Sequence, residues 1–137
     1  MTSYETVNED GSFRNIVHID ERLDYKKFLK KPPTCSHTIM FDTELVDKKA
    51  LVMPDIRKRQ DAATWLQVIK LYGCLHGFDE VLAANRKRSD SLSANKVSAV
   101  KGTWFLYTEI EGLSKPYAGY CLFWQMFHAV LKRIGKR

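Results

Sequence analysis

The chain has 137 residues, of which 45% are hydrophobic and 12% aromatic, so it can bury one core and does not belong to the disordered class. Its formal net charge is +6, yet residues 86–137 carry 10 basic against 3 acidic side chains and residues 1–85 carry 12 against 13. A basic C-terminal part attracts partners that bear phosphate, such as a nucleotide, a lipid diphosphate, an anionic membrane surface or nucleic acid.

The cysteines and histidines do not form a recognisable framework. The chain has an odd number of cysteines, and they lie far apart in the sequence, at Cys35, Cys74 and Cys121. This pattern indicates a reduced, cytosolic chain without disulfides. The four histidines do not complete a zinc-ligand spacing, so no metal site is expected. The N-terminus lacks the features of a signal peptide, and the longest apolar region, 117–131, is shorter than the roughly 20 residues of a membrane span. We therefore expect a cytoplasmic protein that is either soluble or peripheral to a membrane.

The N-terminal part is expected to be rich in strands. Two runs of β-forming residues, 4–7 and 12–18, flank a segment that ends in Asp10-Gly11, and this pattern predicts a β-hairpin. Residues 23–30 predict a short helix with Asp24 near its start, and residues 34–41 predict a buried strand. Asp42 and Glu44 then have the spacing of a chelating pair, but a solvated turn is the better interpretation.

The central segment, residues 53–73, combines a cationic turn with an amphipathic helix. Arg57, Lys58 and Arg59 precede Asp61, and Gly73 suits the end of the helix. Apolar side chains then recur at helical spacing, at Trp65, Val68, Ile69 and Tyr72. Because Asp61 comes directly before this helical pattern, we predict that it is the N-cap, where its carboxylate accepts backbone N–H groups. A carboxylate on a rigid helix start beside cations also suits a general base, and the two interpretations are compatible.

The C-terminal part is expected to be helical. Residues 80–87 predict a strand that runs into a cationic segment, and 89–93 form a small polar loop. Ser93 is the expected N-cap of a helix that reaches about Glu109. The apolar positions of this helix follow the spacing of one buried face, at Val97, Val100, Trp104 and Tyr107. A last helix over 117–134 follows Pro116, and most of its aromatic side chains are expected in the core. Most of the predicted strands precede most of the predicted helices along the chain, and this order favours the α+β class.

Several familiar motifs are absent from the sequence. The seven glycines match neither the G-x-G-x-x-G fingerprint nor a Walker A loop. No Ser or Cys lies in a recognisable nucleophile elbow. A bound nucleotide would therefore have to be held by other means, and a nucleophilic triad has no support.

A series of segments along the chain carries a resemblance to a known family. The segments are 2–5, Asp10-Gly11, 28–30, 38–41, 54–61, Trp65-Leu66, 82–88, 91–93, Asn95-Lys96 and Trp104. In this order they resemble the C-terminal, acceptor-side part of family-2 glycosyltransferases with the GT-A fold. The likeness is greatest to bacterial enzymes that build cell-surface polysaccharides.

The resemblance implies a role for the start of the central helix. Asp61 matches the aspartate that deprotonates the acceptor hydroxyl in an inverting sugar transfer, and Arg59 and Gln60 precede it as substrate-binding positions. Trp65 lies one turn further along, where it either stacks on an acceptor sugar or fills the core. Its place in the apolar stripe favours the core.

The resemblance also implies contacts to the leaving diphosphate. Arg86 and Arg88, with Ser91 and Ser93, match an arginine and serine loop of the family, and Lys96 follows as a further substrate-binding position. Guanidinium groups there would neutralise the charge that develops on the diphosphate. A solvated basic loop remains the alternative interpretation of these residues.

The expected fold is α+β, an incomplete GT-A-like fold in which a β-hairpin and short strands are followed by three helices. One domain is expected over 1–137, divided into 1–52, 53–88 and 89–137. The family's nucleotide-sugar-binding half, with its Asp-x-Asp metal site, does not occur in the sequence. We therefore expect no activity from this chain alone, no cofactor bound by it, and Mg²⁺ or Mn²⁺ in the missing half.

The expected partners follow from this interpretation. They are a nucleotide sugar and a glycan acceptor in the complete enzyme, a second copy or a companion N-terminal half, and an anionic membrane surface. The alternative is a non-catalytic basic module that binds a membrane surface or nucleic acid. Nucleic acid is the less favoured of these two ligands because no RNA-stacking or helix-turn-helix pattern is present.

Overall fold

The computed structural model describes residues 1–32, 35–88 and 96–134, with side chains up to Leu131. This part of the chain is a mixed α/β structure of short strands and four α-helices. The strands are β1 (Thr2–Val7), β2 (Phe13–Val17), β3 (Arg22–Asp24), β4 (Cys74–His76) and β5 (Phe78–Arg86). The helices are α1 (Tyr25–Lys30), α2 (Gln60–Tyr72), α3 (Lys96–Phe105) and α4 (Lys115–Ile134). Two 3₁₀ turns cover Ser36–Thr38 and Lys48–Leu51, and a π turn covers Leu106–Ile110.

The predicted N-terminal hairpin is confirmed and forms part of a three-stranded sheet. β1 pairs with β2 in antiparallel fashion and with β5 in parallel, in the order β2-β1-β5. Gly11 closes the hairpin at a φ of 87°, which a residue without Cβ adopts readily. The Asp10 carboxylate accepts the Ser12 N–H at 2.9 Å, as expected of an Asp-Gly turn.

Helix α2 lies at the centre of the core. Its side chains Trp65, Leu66, Val68 and Ile69 are all buried, as the apolar stripe predicted, whereas Tyr72 is 43% exposed. They pack with apolar side chains of the other elements, Leu23, Phe28, Leu29, Ala50, Leu75, Leu106, Tyr107, Ala118 and Cys121. Each fully buried large side chain contributes about 1.5–3 kcal/mol of transfer free energy, so the position of α2 is strongly determined.

The buried strand predicted over 34–41 is wrong for the residues that the structure describes. Residues Ser36–Thr38 form a 3₁₀ turn instead, and Met40 is 88% exposed. Both the N–H and the hydroxyl of Thr38 donate to the Cys35 carbonyl, at 3.2 and 2.9 Å. Because these local bonds satisfy the backbone within the turn, the segment does not join a sheet.

Helix α3 differs from its prediction in its end and in its buried face. The α-helical geometry ends at Phe105 and a π turn follows. Val97 and Trp104 are 66% and 37% exposed, although their spacing predicted burial. The predicted N-cap, Ser93, lies outside the described residues.

The core role expected for most aromatic side chains of α4 is wrong. This helix turns its small residues Ala118 and Cys121 into the core, and both are fully buried. Small residues let α4 approach its neighbours closely, so its large side chains are left on the outer face. Exposed apolar side chains on this helix are Tyr120, Phe123, Met126, Phe127, Val130 and Leu131. No helix in the described part of the chain is long and apolar enough to cross a membrane.

Tyr107 links three elements of the core, which gives the first testable prediction. Its hydroxyl donates to the Leu29 carbonyl at 2.6 Å and accepts from the Gln125 amide, and burial raises the pKa of Tyr107. We expect Tyr107→Phe to lower the free energy of unfolding by about 1–2 kcal/mol, because the Leu29 carbonyl and the half-buried Gln125 amide each lose a hydrogen-bond partner. Urea unfolding followed by circular dichroism measures this.

The matched control is Tyr72→Phe, at an exposed position where the hydroxyl accepts only the Asp47 N–H at 2.9 Å. A change of less than about 0.5 kcal/mol is expected there. Equal effects of the two substitutions would contradict the role given to the Tyr107 hydroxyl.

Candidate active site

The side chain of Asp61 lies in the first turn of α2 and is only half-buried. One carboxylate oxygen, Oδ1, accepts the Ala62 N–H at 2.8 Å, and the other, Oδ2, accepts the Ser36 hydroxyl at 2.9 Å. Each oxygen has a second lone pair. The carboxylate is therefore held in place by two donors and can still accept a proton or hydrogen bond from a ligand.

The prediction that Asp61 is the N-cap is wrong. The N-cap is Arg59, which has a left-handed backbone with φ 65° and ψ 19° and makes no side-chain cap bond. Its carbonyl accepts the Ala63 N–H at 2.9 Å, so the helix begins at Gln60, two residues earlier than an N-cap at Asp61 would place it. The Asp61 carboxylate is consequently not used to close the helix in the usual capping geometry.

Ser36 is a site residue that the sequence did not reveal. It belongs to the 3₁₀ turn Ser36–Thr38 and reaches Asp61 across 25 positions of sequence. No local spacing connects two residues so far apart. Only the packing of that turn against the start of α2 brings them together.

The other residues at the start of α2 differ in exposure. The side chain of Gln60 is exposed, and Arg59 is half-buried and donates to the Ala99 carbonyl at 3.4 Å. Trp65 is 5% exposed and meets the Phe28 ring edge-to-face at 6.1 Å between centroids. This contact favours the packing role for Trp65 over stacking on a sugar.

The first turns of α3 pack against the cationic turn before α2. The Lys58 ammonium donates to the Ser98 hydroxyl, and a Cβ at Gly102 would lie 3.4 Å from the Cβ of Lys58. Lys96 begins this helix and is exposed. The structure therefore brings the helix of Lys96 to the start of α2.

The predicted diphosphate loop is described in part. Arg86 ends β5 opposite Val7, and Arg88 follows it; both side chains are exposed. Ser91 and Ser93 lie outside the described residues. β5 adjoins the turn Ser36–Thr38.

A cleft of about 470 Å³ opens beside the start of α2. The β1–β2 hairpin, the end of α1, Arg59 and α4 form its walls, and we call it the basic cleft. Its basic lining residues are Arg14, Lys30, Lys31, Arg59, Lys87 and His128. No Asp or Glu lines the cleft among the residues that the structure describes.

The turn Ser36–Thr38 contacts both Asp61 and a residue that lines the basic cleft. Ser36 bonds the Asp61 carboxylate, while the neighbouring His37 ring meets the Tyr4 ring at 6.5 Å between centroids. Tyr4 in turn lines the cleft. One short turn thus connects the carboxylate to the cationic surface.

No group of three or more His, Cys, Asp or Glu side chains lies together within the described ranges. The Asp42 carboxylate accepts the Glu44 N–H at 2.9 Å, which is the geometry of a turn. Neither observation provides a ligand set for a divalent ion in this part of the chain.

Comparison with known proteins confirms the resemblance to a glycosyltransferase. The chain is 38% identical over 135 residues to "Putative teichuronic acid biosynthesis glycosyltransferase TuaG" of Bacillus subtilis (strain 168). The match covers 98% of this chain and 53% of that protein, so the chain spans about half the length of the curated relative it matches. No family model matches the chain, and no solved structure gives a significant match.

The raised pKa of the buried Cys35 thiol predicts that the free energy of unfolding depends on pH. Burial raises the pKa of Cys35 to about 11, against smaller lowering effects of Lys87 and Asn85. Between its ordinary pKa of 9.0 and about 11, the unfolded chain binds fewer protons than the folded chain. The contribution of the Cys35 thiol to the free energy of unfolding is therefore fully present below pH 9, and it is lost as pH rises toward about 11.

We expect Cys35→Ala to flatten the decline in unfolding free energy between about pH 9 and pH 11, the window between the ordinary and the raised pKa of Cys35. Denaturant titrations at several pH values measure the slope. Cys74→Ala, at a half-buried thiol, is the control. An unchanged slope in Cys35→Ala would contradict the assignment.

Proposed function

We propose that the chain is the acceptor-binding and catalytic-base portion of an inverting glycosyltransferase with a GT-A-like architecture. The complete enzyme transfers a sugar from a nucleotide-diphosphate sugar to a surface-glycan or lipid-linked acceptor. The observation that carries the proposal is the arrangement of Asp61, an accessible carboxylate held at a helix start by Ser36. The name of the Bacillus subtilis relative, which refers to teichuronic acid biosynthesis, supports a surface glycan as the acceptor class.

Asp61 acts as the general base in this proposal. The Ser36 hydroxyl and the Ala62 N–H each occupy one lone pair of a different carboxylate oxygen. A remaining lone pair accepts the proton of the acceptor hydroxyl while the sugar carbon is attacked. Holding the carboxylate in one orientation lowers the entropic part of the barrier.

The cationic side chains serve the leaving diphosphate. Arg86 and Arg88 at the end of β5 and Lys96 at the start of α3 are exposed, so they are accessible to a ligand. With Ser91 and Ser93 they would offer charge-assisted hydrogen bonds to the departing phosphate oxygens. Arg59 and Gln60 complete the substrate-binding positions at the start of α2.

The nucleotide-sugar-binding half comes from another segment or another polypeptide. The Mg²⁺ or Mn²⁺ ion that the resemblance implies would be bound by that half. Exposed apolar side chains on β5, Phe78, Val81 and Leu82, support association with a further segment. The chain alone is therefore expected to be inactive.

The role of Asp61 as the general base can be tested in a complete enzyme. This chain is joined to, or mixed with, the nucleotide-sugar-binding half of a related glycosyltransferase. We expect Asp61→Asn to lower the rate of nucleoside diphosphate release by about 10²- to 10⁴-fold, because the amide cannot accept the acceptor proton. The release of nucleoside diphosphate in the presence of acceptor measures the effect.

Asp55→Asn is the matched control, since Asp55 is an exposed carboxylate in the preceding turn. It removes the same charge from the same region and should leave the rate within about twofold, as expected for a surface substitution. Full activity of Asp61→Asn would exclude Asp61 as the base.

The exposed apolar side of α4 favours a second candidate function, docking on an anionic membrane surface. Phe123 and Phe127 are 57% and 43% exposed, and their rings stack at 6.3 Å between centroids. The sequence continues into Lys132, Arg133, Lys136 and Arg137. An apolar helix face followed by cations is typical of helices that lie in a membrane interface.

Sedimentation with vesicles that contain anionic phospholipid tests docking. We expect Phe123→Ser to reduce the bound fraction several-fold, because it removes an aromatic side chain from the interface. Phe13→Ser is the control, at a 62% exposed phenylalanine on β2. Equal losses in the two variants, or no binding by the wild-type chain, would exclude the α4 surface.

A further inference from the structure

The basic cleft concentrates positive charge without a matching negative lining. Five of its side chains, Arg14, Lys30, Lys31, Arg59 and Lys87, are cationic at neutral pH. Within the described residues, the one salt bridge that involves any of them joins Lys31 to Asp20 at 3.0 Å. Like charges repel in such a concave site, and a bound anion would relieve that repulsion.

The hydrogen-bonding groups of the walls favour an oxyanion over a neutral sugar. The Thr6 hydroxyl donates to Asn15, and the Gln125 amide donates to the Leu29 carbonyl at 2.8 Å and to Tyr107. These neutral donors are therefore engaged within the protein. The donors that remain for a ligand belong mainly to ammonium and guanidinium groups, which recognise phosphate and carboxylate oxygens.

The number of cations favours more than one negative charge. A single carboxylate would neutralise one of the five cations, whereas a diphosphate carries two or more charges on oxygens that point in several directions. A volume of about 470 Å³ lies within the range of roughly 300–1,000 Å³ for small-molecule sites. The cleft is therefore large enough for a diphosphate and the first atoms of the group attached to it.

The position of the cleft relates it to the acceptor. Arg59 lines the cleft and lies two residues before Asp61 in the sequence, whereas Arg86, Arg88 and Lys96 do not line it. In an inverting displacement, the base and the leaving group lie on opposite faces of the sugar ring. With Arg86, Arg88 and Lys96 assigned to the leaving diphosphate, the cleft that contains Arg59 is the cationic site left for the acceptor.

We infer that the basic cleft binds the diphosphate group of a lipid-linked acceptor. This inference rests on the proposed function, because that function defines which side of the site belongs to the acceptor. The cationic side chains hold the diphosphate by charge-assisted hydrogen bonds. The sugar attached to it then lies toward Asp61, where its hydroxyl can lose a proton.

Calorimetric titration of the full chain tests the inference with soluble probes. The probes are inorganic pyrophosphate, farnesyl diphosphate, uridine diphosphate, inorganic phosphate and glucuronate. We expect pyrophosphate and farnesyl diphosphate to bind at least about tenfold more tightly than phosphate or glucuronate, because they engage more cations. Uridine diphosphate should bind no more tightly than farnesyl diphosphate.

Two substitutions on exposed lining residues make the test specific. Arg14→Gln and Lys87→Gln should each weaken pyrophosphate binding about tenfold, since each removes a charged donor. The matched controls Lys26→Gln and Lys101→Gln change exposed lysines that do not line the cleft and should leave binding unchanged. Because all four side chains are exposed, the variants should remain folded.

Three results would overturn the inference. These are equal binding by the cleft variants and the wild-type chain, glucuronate bound as tightly as pyrophosphate, and uridine diphosphate bound more tightly than farnesyl diphosphate. The last result would assign the cleft to the donor. Asp61→Asn should retain pyrophosphate binding, so a failure of the cleft is distinguishable from a failure of the base.

Discussion

The candidate site depends on the left-handed backbone of Arg59. Among the residues that the structure describes, it is the one non-glycine with positive φ, a conformation that costs roughly 1–2 kcal/mol for a residue with a Cβ. Two bonds offset that cost: the Arg59 carbonyl accepts the Ala63 N–H at 2.9 Å, and the guanidinium donates to the Ala99 carbonyl at 3.4 Å. This turn sets the start of α2 and therefore the direction of the Asp61 carboxylate. Backbone strain of this kind is concentrated at functional sites in proteins, which agrees with the role proposed for the helix start.

The 3₁₀ turn Ser36–Thr38 connects the two chemical features of the molecule. Ser36 orients the carboxylate, His37 contacts the Tyr4 ring in the wall of the basic cleft, and Thr38 is buried below them. The Thr38 N–H and hydroxyl both donate to the Cys35 carbonyl, and these local bonds hold the turn in which Ser36 contacts Asp61 and His37 contacts Tyr4.

The exposed surfaces are as informative as the core. Helix α4 buries small residues and leaves large aromatic ones outside, and β5 exposes apolar side chains on the sheet edge. Exposed apolar patches of this kind mark surfaces that bind other molecules. The relative, which is about twice as long as the match, shows that a chain with this sequence pattern also occurs within a larger protein. Association with a further segment would cover such surfaces.

The sequence by itself determined the hairpin, the course of α2 and its end at Gly73, β5, the start of α4 near Pro116, and the resemblance to a glycosyltransferase. These features follow from turn residues, from apolar periodicity and from residues in a fixed order, all of which act over a few positions. Only the tertiary structure decided that Arg59 caps α2, that Ser36 bonds Asp61, that Arg14, Lys30 and Arg59 share one cleft, and that the aromatics of α4 face outward. Each of these depends on contacts between residues far apart in the chain. Local patterns do not contain that information, because the free energy that selects such contacts comes from packing against a core that forms only when the whole chain is folded.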